Sequence, residues 1–191
     1  MIGRSFIGLG VLILLFLGYQ MFGTNFITGR EQKALASDLA TKWEVENQAH
    51  VKPDLGGGVA LIKIPKIGVD RVVVEGVEVE HLKKGPGHYP ETALPGQLGN
   101  MVISGHRTTY GAPFYRLDEL RVGDEIAIVD AVGSYQYKVT ETKIVRPTDL
   151  GVIAPSSDAR LTLTTCHPRF SARQRLIVVA ALQGAPRQAA A

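Results

Sequence analysis

Short strand-like segments separated by glycine and proline turns fill the chain from Val59 onward, and this alternation limits the fold more than any other feature. Two intervening segments, 79–84 and 113–120, are compatible with short helices. Many short strands with regular turns indicate an all-β fold that closes, or nearly closes, into a barrel. The predicted strands, rich in β-branched residues, are 60–64, 71–75, 100–104, 125–129, 135–145, 160–165 and 175–182.

The N-terminal part of the chain has a different character. Residues 5–29 contain no charged side chain, and residues 6–22 are mostly apolar. A helix that spans a bilayer needs about 20 mostly apolar residues, so we predict a transmembrane anchor at 1–27. A cleaved signal peptide is the alternative, but the one small-x-small site, at 34–36, lies well beyond the apolar run.

The segment that follows the apolar run is predicted to be a stalk helix. Thr28 and Glu31 have the spacing of a capping box. Leu35, Leu39 and Trp43 recur every four residues and form an apolar stripe. We expect this helix to pack on the barrel or to lie near the membrane surface.

Glycine and proline set the boundary between this helix and the barrel. The helix should end near residue 47, because the proline and glycines of 52–58 interrupt regular structure. The predicted division is a transmembrane anchor at 1–27, a stalk helix and linker at 28–58, a β-barrel at 59–183, and a disordered polar tail at 184–191.

Cys166 is the only cysteine of the chain, so no intramolecular disulfide can form. It ends a strand in which leucine and threonine alternate over residues 161–165. Side chains alternate across a strand, so the leucines should point into a core while Cys166 shares the other face with two threonines. Pro168 cannot continue a central strand, which places the thiol at the rim of the sheet.

Two features favour a reactive thiol over the small buried side chain that a lone cysteine most often is. Arg169, Arg173 and Arg175 lie within nine residues of Cys166, and nearby cations lower the pKa of a thiol. His106 follows another apolar strand segment. A thiol, a distant histidine and a cation are the components of a cysteine transacylase.

These residues resemble the signature of the sortase family. The sortase cysteine segment is similar to residues 161–166, Leu-Thr-Leu-Thr-Thr-Cys, together with Arg175 at the start of the next strand. The sortase histidine segment is similar to residues 104–106, Ser-Gly-His. The tracts 85–107 and 110–115 are similar to the class E branch. The resemblance covers roughly the predicted barrel and implies the closed eight-stranded sortase barrel.

The resemblance also implies a role for each site residue. Cys166 would attack a peptide carbonyl and form a thioester, and His106 would protonate the departing amine. Arg175 would favour the thiolate and stabilise the oxyanion, and Thr165 would help to shape the oxyanion hole. Tyr110 is a candidate for setting substrate preference, or else a packed loop aromatic.

Two choices among neighbouring residues follow from strand geometry. His167 adjoins Cys166, but consecutive side chains of a strand point to opposite faces, and a residue before proline is held extended. We therefore assign the acid–base role to His106. Among the arginines, Arg175 directly precedes the apolar strand, whereas Arg169 and Arg173 fall in the connecting loop.

The function that the resemblance implies is that of a membrane-anchored cysteine transpeptidase with an extracellular catalytic domain. It would cleave a C-terminal sorting motif, Leu-Ala-x-Thr-Gly rather than Leu-Pro-x-Thr-Gly, between Thr and Gly. Its partners would be secreted proteins bearing that motif and an amine of a peptidoglycan precursor. The alternatives are a pilin-polymerising sortase and a catalytically inactive, membrane-tethered barrel that binds peptides.

Composition argues against other classes of partner. A net charge of +3 without a basic run gives no support for nucleic-acid binding. The five histidines show no close ligand spacing for zinc. Asp149 and Asp158 alone would make a poor calcium site, so we expect neither a metal nor a cofactor.

Overall fold

The computed structural model describes residues 2–45 and 56–186. Within these residues, eight strands close into a barrel in the order β1-β2-β3-β4-β7-β8-β6-β5. The prediction of a closed eight-stranded β-barrel is therefore confirmed. The strands are β1 (Gly58–Ile64), β2 (Val69–Glu75), β3 (Gly87–His88), β4 (Gly99–Ser104), β5 (Glu125–Val129), β6 (Ser134–Val145), β7 (Ala159–His167) and β8 (Gln174–Leu182).

Two of the neighbouring strand pairs are parallel, and one of them positions the site. β2 pairs with β3 and β4 with β7 in parallel, while the other six pairs are antiparallel. Parallel strands need a long crossover connection, and the chain between β4 and β7 includes β5 and β6. The carboxyl ends of β4 and β7 therefore meet at the same edge of the barrel.

Both faces of β7 are buried, for different reasons. Leu161 and Leu163 point into the barrel core and are fully buried, as the alternation predicts. Thr162, on the other face, is also buried, and its hydroxyl donates to Asn100 Oδ1 at 2.7 Å. The Asn100 amide in turn donates to two carbonyls of the turn before β7, at 3.0 and 3.1 Å. The chain between β6 and β7 thus covers the outer face of the strand through polar contacts.

β3 is a strand that the sequence pattern does not predict, because two residues are too few for any periodicity. It contributes a buried pair, in which His88 Nδ1 lies 2.7 Å from Glu75 Oε2 of β2. His88 Nε2 lies 2.9 Å from Thr92 Oγ1 and 3.1 Å from the Ala93 carbonyl. Both nitrogens of the buried ring are therefore partnered, and the pair joins β2 to β3.

The N-terminal residues form two helices, α1 (Ile2–Gly18) and α2 (Thr24–Val45), joined by a π-helical turn at Tyr19–Gly23. The predicted capping box at Thr28 and Glu31 is wrong, because the chain is already helical when it reaches Thr28. The Thr28 hydroxyl instead donates to the Lys83 carbonyl at 2.9 Å. The predicted end of this helix, near residue 47, lies outside the described residues.

The predicted transmembrane helix is not shown. Within residues 2–45 and 56–186, none of the helices has both the length and the apolar composition required to cross a bilayer. α1 has 17 residues before the π-helical turn begins.

The predicted packing of the stalk helix on the barrel is present. Leu39 is buried and its side chain meets Gly58 at the start of β1, whereas Leu35 and Trp43 are half-buried. Of the two predicted short helices, the first is α3 (Val79–Leu82), and the second is reduced to a 3-10 turn at Leu117–Glu119. The linker at 46–55 and the last residues of the tail, 187–191, lie outside the described residues.

Candidate active site

Strand register brings the predicted cysteine and histidine to one edge of the barrel. Ser104 of β4 lies opposite Thr164 of β7 in the parallel ladder. His106 and Cys166 each follow two residues after this pair. The two side chains therefore come from adjacent ends of neighbouring strands, although they are far apart in the sequence.

Two short contacts fasten these strand ends together. The Gly105 amide donates to the Thr164 carbonyl at 3.1 Å, and the buried Thr165 hydroxyl donates to the Gly105 carbonyl at 2.7 Å. A side chain at Gly105 would approach the Phe114 ring to 2.6 Å, so glycine is required there. Thr165 thus joins the cysteine segment to the histidine segment, and its part in an oxyanion hole stays a prediction.

Arg175 lies directly opposite Cys166 in the antiparallel ladder of β7 and β8. Residues in this relation project from the same face, with Cβ atoms about 4.5–5.5 Å apart. The partly exposed guanidinium donates through Nη1 to the carbonyls of Ala172 and Gln174, at 3.0 and 3.1 Å. Strand register therefore places Arg175 opposite Cys166, while its Nη1 donates to carbonyls of the β7–β8 connection.

The other two arginines of the cluster lie in that loop. Arg169 donates to Asp118 at 2.9 Å and stacks over the Tyr115 ring at 4.4 Å. Arg173 is exposed. Of the three arginines, Arg175 is the one paired with Cys166 in the ladder of β7 and β8, and its catalytic role stays a prediction.

His106 carries a free ring nitrogen in a partly buried environment. Its Nε2 is buried and has no hydrogen-bond partner in the part of the chain that the structure describes. The Tyr110 ring lies 5.0 Å away, centroid to centroid, tilted by 42°. Burial lowers the pKa of His106, because desolvation disfavours the charged imidazolium. The ring is therefore mainly neutral at pH 7 and able to accept a proton.

His167 differs from His106 in where its side chain points. It follows Cys166 within β7 and lies opposite Gln174. Because side chains alternate along a strand, His167 projects from the face that Cys166 does not use. Its Nδ1 is also buried and unpartnered among the described residues, so strand geometry rather than burial distinguishes the two histidines.

Arg107 is a site residue that the sequence reasoning missed. This buried side chain donates through Nη1 to the Cys166 carbonyl at 3.2 Å and through Nε to the Tyr115 carbonyl at 3.0 Å. Its Nη2 lies 3.0 Å from Asp118 Oδ1. The residue that follows the histidine thus holds the backbone of the cysteine. The feature of the sequence that could have indicated this role is a charged residue directly after the histidine that follows β4.

Asp118 balances the charge of this cluster. It lies between the guanidinium groups of Arg107 and Arg169, 3.0 and 2.9 Å away. Partial burial favours its neutral form, but the charge of Arg107 and the hydrogen bond and charge of Arg169 outweigh this and lower the pKa of Asp118. The carboxylate therefore stays ionised through the neutral range.

Tyr110 belongs to a loop with an unusual backbone. Tyr110, Gly111 and Ala112 have φ angles of 52°, 74° and 41°. Two of the three are not glycine, and such positions cost of order 1–3 kcal/mol each unless their surroundings hold them. The ring of Tyr110 is placed against His106, and its predicted role in substrate preference stays a prediction.

This set of groups suits acyl transfer. The Cys166 thiol supplies a nucleophile, and the neutral His106 imidazole, with its free nitrogen, supplies a proton carrier. The Arg175 guanidinium on the next strand supplies a donor for an oxyanion. All three come from rigid strand ends or from residues directly after them, which reduces the cost of positioning the reacting groups.

Comparison with known proteins supports the same conclusion. The sortase domain model matches residues 62–183. The chain is 33% identical to Sortase D of Bacillus subtilis, over 85% of this chain and 86% of the relative. It is 34% identical to Sortase SrtE1 of Streptomyces coelicolor, over 93% of this chain and 55% of that protein.

A solved structure extends the likeness to three dimensions. The Sortase D5 transpeptidase of Clostridium perfringens superposes with a TM-score of 0.75 at 35% identity, covering 81% of this chain and 99% of that one. The eight-stranded barrel, the strand-end cysteine and these matches lead to one assignment: the chain belongs to the sortase family of cysteine transpeptidases.

Proposed function

We propose that this chain cleaves a C-terminal sorting motif between Thr and Gly and transfers the Thr carbonyl to a cell-wall amine. The observation that carries the proposal is the register of three strands, which sets Cys166 beside the end of β4 and opposite Arg175. The sortase domain match adds the class of reaction.

The proposed first half-reaction releases the C-terminal fragment of the substrate. Neutral His106 accepts the thiol proton of Cys166 as sulfur attacks the Thr carbonyl carbon. Arg175 exchanges its loop carbonyls for the developing oxyanion, a donor role typically worth on the order of 10²–10³ in rate. The imidazolium then gives its proton to the departing Gly nitrogen, and the C–N bond breaks to leave a thioester on Cys166.

The second half-reaction restores the enzyme. The acceptor amine attacks the thioester carbonyl and loses a proton through His106, which returns it to the Cys166 sulfur as the C–S bond breaks. One amide bond is broken and one is formed over the cycle. Water in place of the amine gives hydrolysis instead.

The proposed motif is Leu-Ala-x-Thr-Gly, as in a class E-like enzyme. Its support is the similarity of the tracts 85–107 and 110–115 to that branch and the match to SrtE1. Sortase D of Bacillus subtilis matches at nearly the same identity, so the choice of motif depends on a direct comparison of peptides. Tyr110, which contacts the His106 ring, is the residue we propose for that preference.

We also propose that the chain is held at the cell membrane with the barrel outside. The support is the mostly apolar run 6–22, which precedes the residues of α2 that contact the barrel, and the exposed apolar side chains of α1 from Phe6 to Leu17. Membrane fractions washed with alkaline carbonate test this placement. Retention of the chain in the pellet is expected, and quantitative release into the wash would contradict it.

The decisive experiment uses the purified chain, two peptides that differ only in Ala or Pro at the second motif position, and candidate amines. Mass spectrometry should show cleavage after Thr and a Thr–amine product, with the Ala peptide turned over faster. Cys166→Ala should abolish both products while circular dichroism shows an intact fold.

Three other results would each change the proposal. Preference for the Pro peptide would overturn the class E-like motif. A pilin lysine used in preference to a peptidoglycan amine would indicate a polymerising sortase. Binding without cleavage of either peptide would indicate an inactive peptide-binding barrel.

A further inference from the structure

Helix α2 lies outside the matched sortase domain, which begins at residue 62, yet it contacts the loop beside His106. Its contacts come from one polar face that carries Asn25, Thr28 and Gln32, at a spacing that places them along one side of a helix. Asn25 and Thr28, on turns of α2 that precede the buried Leu39, reach the active-site loop at Gly111.

Gln32 docks α2 on the barrel. Its Oε1 accepts from the Val72 amide at 2.8 Å, and its Nε2 donates to the carbonyls of Val72 and Lys84, at 3.1 and 2.8 Å. β3 pairs with β2 only at Val74 and Glu75, so Val72 lies where β3 does not reach. The Gln32 side-chain amide thus bonds both the amide and the carbonyl of Val72, as the backbone of a neighbouring strand would. These hydrogen bonds fix the distance between α2 and β2.

With α2 fixed, two of its residues bond to backbone groups near Tyr110. Asn25 Oδ1 accepts from the amide of Gly111, the residue after Tyr110, at 2.9 Å. The Thr28 hydroxyl donates to the Lys83 carbonyl at 2.9 Å, and the Lys83 ammonium lies 6.0 Å from the Tyr110 ring centroid. The His106 ring is also a neighbour of the Tyr110 ring, 5.0 Å away between centroids.

The loop needs such support from outside. Its three consecutive positive φ angles, at Tyr110 to Ala112, are unfavourable for the two residues that are not glycine. Within the loop, the Ala112 amide is bonded to the Thr109 carbonyl, but the Gly111 amide takes its partner from α2. The helix also comes close to Gly111, where an added Cβ would lie 3.2 Å from the Thr28 methyl carbon.

We propose that Asn25 is a positioning residue of the transpeptidase, which holds the 110–112 loop in its left-handed conformation and so keeps the Tyr110 ring against His106. This inference rests on the proposed acid–base role of His106. It makes α2 a support of the active site in addition to a connection between the N-terminus and the barrel.

The test compares three variants of the full 191-residue chain in detergent. Asn25→Ala removes the acceptor and keeps a good helix former. Asn25→Asp retains an acceptor oxygen for the Gly111 amide. Ser37→Ala is the matched control on the same helix, because the exposed Ser37 hydroxyl donates to the Ala34 carbonyl of that helix.

Two readouts separate positioning from mere stability. Loss of one neutral hydrogen bond is expected to lower kcat for peptide cleavage by about 2- to 10-fold, with KM little changed. The pKa of His106, followed by NMR, should rise toward 6.5 in Asn25→Ala, since burial is the cause of its lowered value and a loosened Tyr110 lets water in. Asn25→Asp should restore kcat, because its carboxylate still accepts from the Gly111 amide, and Ser37→Ala should leave both kcat and the pKa of His106 unchanged.

The outcomes distinguish this inference from the proposed function. An active wild type with unchanged kcat and His106 pKa in Asn25→Ala would overturn the positioning role and leave the transpeptidase assignment intact. So would a loss of kcat that Asn25→Asp does not restore. If the wild type cleaves no sorting peptide, the proposed function fails, and the NMR titration alone still decides whether Asn25 controls the surroundings of His106.

Discussion

Replacing Arg107 by methionine should destabilise the barrel and weaken catalysis together. Arg107 donates to the Cys166 and Tyr115 carbonyls and pairs with Asp118. Methionine fills much of the buried volume but donates no hydrogen bond. The hydrogen bond from the histidine segment to the Cys166 carbonyl would then be lost.

The expected magnitude follows from which acceptors keep a donor. Arg169 also bonds the Tyr115 carbonyl, at 3.2 Å, and Asp118, at 2.9 Å, so both remain partnered in Arg107→Met. The Cys166 carbonyl alone loses its charged donor. A hydrogen bond to a charged group is worth about 1.5–3 kcal/mol, and that is the expected loss in the free energy of unfolding.

Arg169→Met is the matched control. Arg107 still serves the Tyr115 carbonyl and Asp118 in that variant, so the loss should stay within about 1 kcal/mol, as for a partly exposed ion pair. In the double variant, the Tyr115 carbonyl and Asp118 lose both donors. The loss in the free energy of unfolding should therefore exceed the sum of the losses in the two single variants by about 0.5–3 kcal/mol.

Urea unfolding of the four proteins, with equal m-values, measures these differences. Peptide cleavage measured in parallel should fall in Arg107→Met more than in Arg169→Met. Equal losses in the two single variants, or strict additivity in the double variant, would refute this account of the shared acceptors.

Three further predictions concern neighbouring residues. Arg175→Ala should lower the cleavage rate by about 10²–10³, and Arg175→Lys should also be impaired because lysine lacks the planar fork; a larger loss in Arg173→Ala would contradict this. His106→Ala should lose about 10²–10⁴-fold in peptide cleavage, whereas His167→Ala should stay within about tenfold of the wild type; the reverse order would contradict the strand-face argument. The pKa of Asp118 is lowered from 3.8, so its stabilisation should be complete above that pH and lost as the pH falls through its folded value. Acid unfolding of Asp118→Asn should therefore lack this component, and identical acid profiles would contradict the pairing.

The barrel and its rim could be predicted from the sequence because their signals are local. Alternation marks the strands to within a few residues of their ends, and proline after His167 marks the end of β7. The same alternation separates the faces of Cys166 and His167. The two-residue β3 carries no periodic signal, so the buried His88–Glu75 pair that it creates was not predicted.

The contacts that depend on tertiary structure could not be predicted from local patterns. Thr28 has the spacing of a helix cap, but the preceding π-helical turn continues the helix and frees its hydroxyl for Lys83. Arg107 is a charged residue in a loop, and sequence patterns predict that such a residue is exposed to solvent. Its contact with the Cys166 carbonyl follows from the register of β4 and β7. The contact from Asn25 to Gly111 likewise joins distant parts of the chain.

The most direct test of the central claim is the mass of the intact protein during turnover. A brief incubation with the Ala-containing sorting peptide, followed by acid quenching, should show an adduct equal to the peptide up to Thr. Hydroxylamine should remove it, fragmentation should place it on Cys166, and it should be absent from Cys166→Ala. Cleavage after Thr without any adduct under single-turnover conditions, or an adduct on another residue, would contradict Cys166 as the nucleophile.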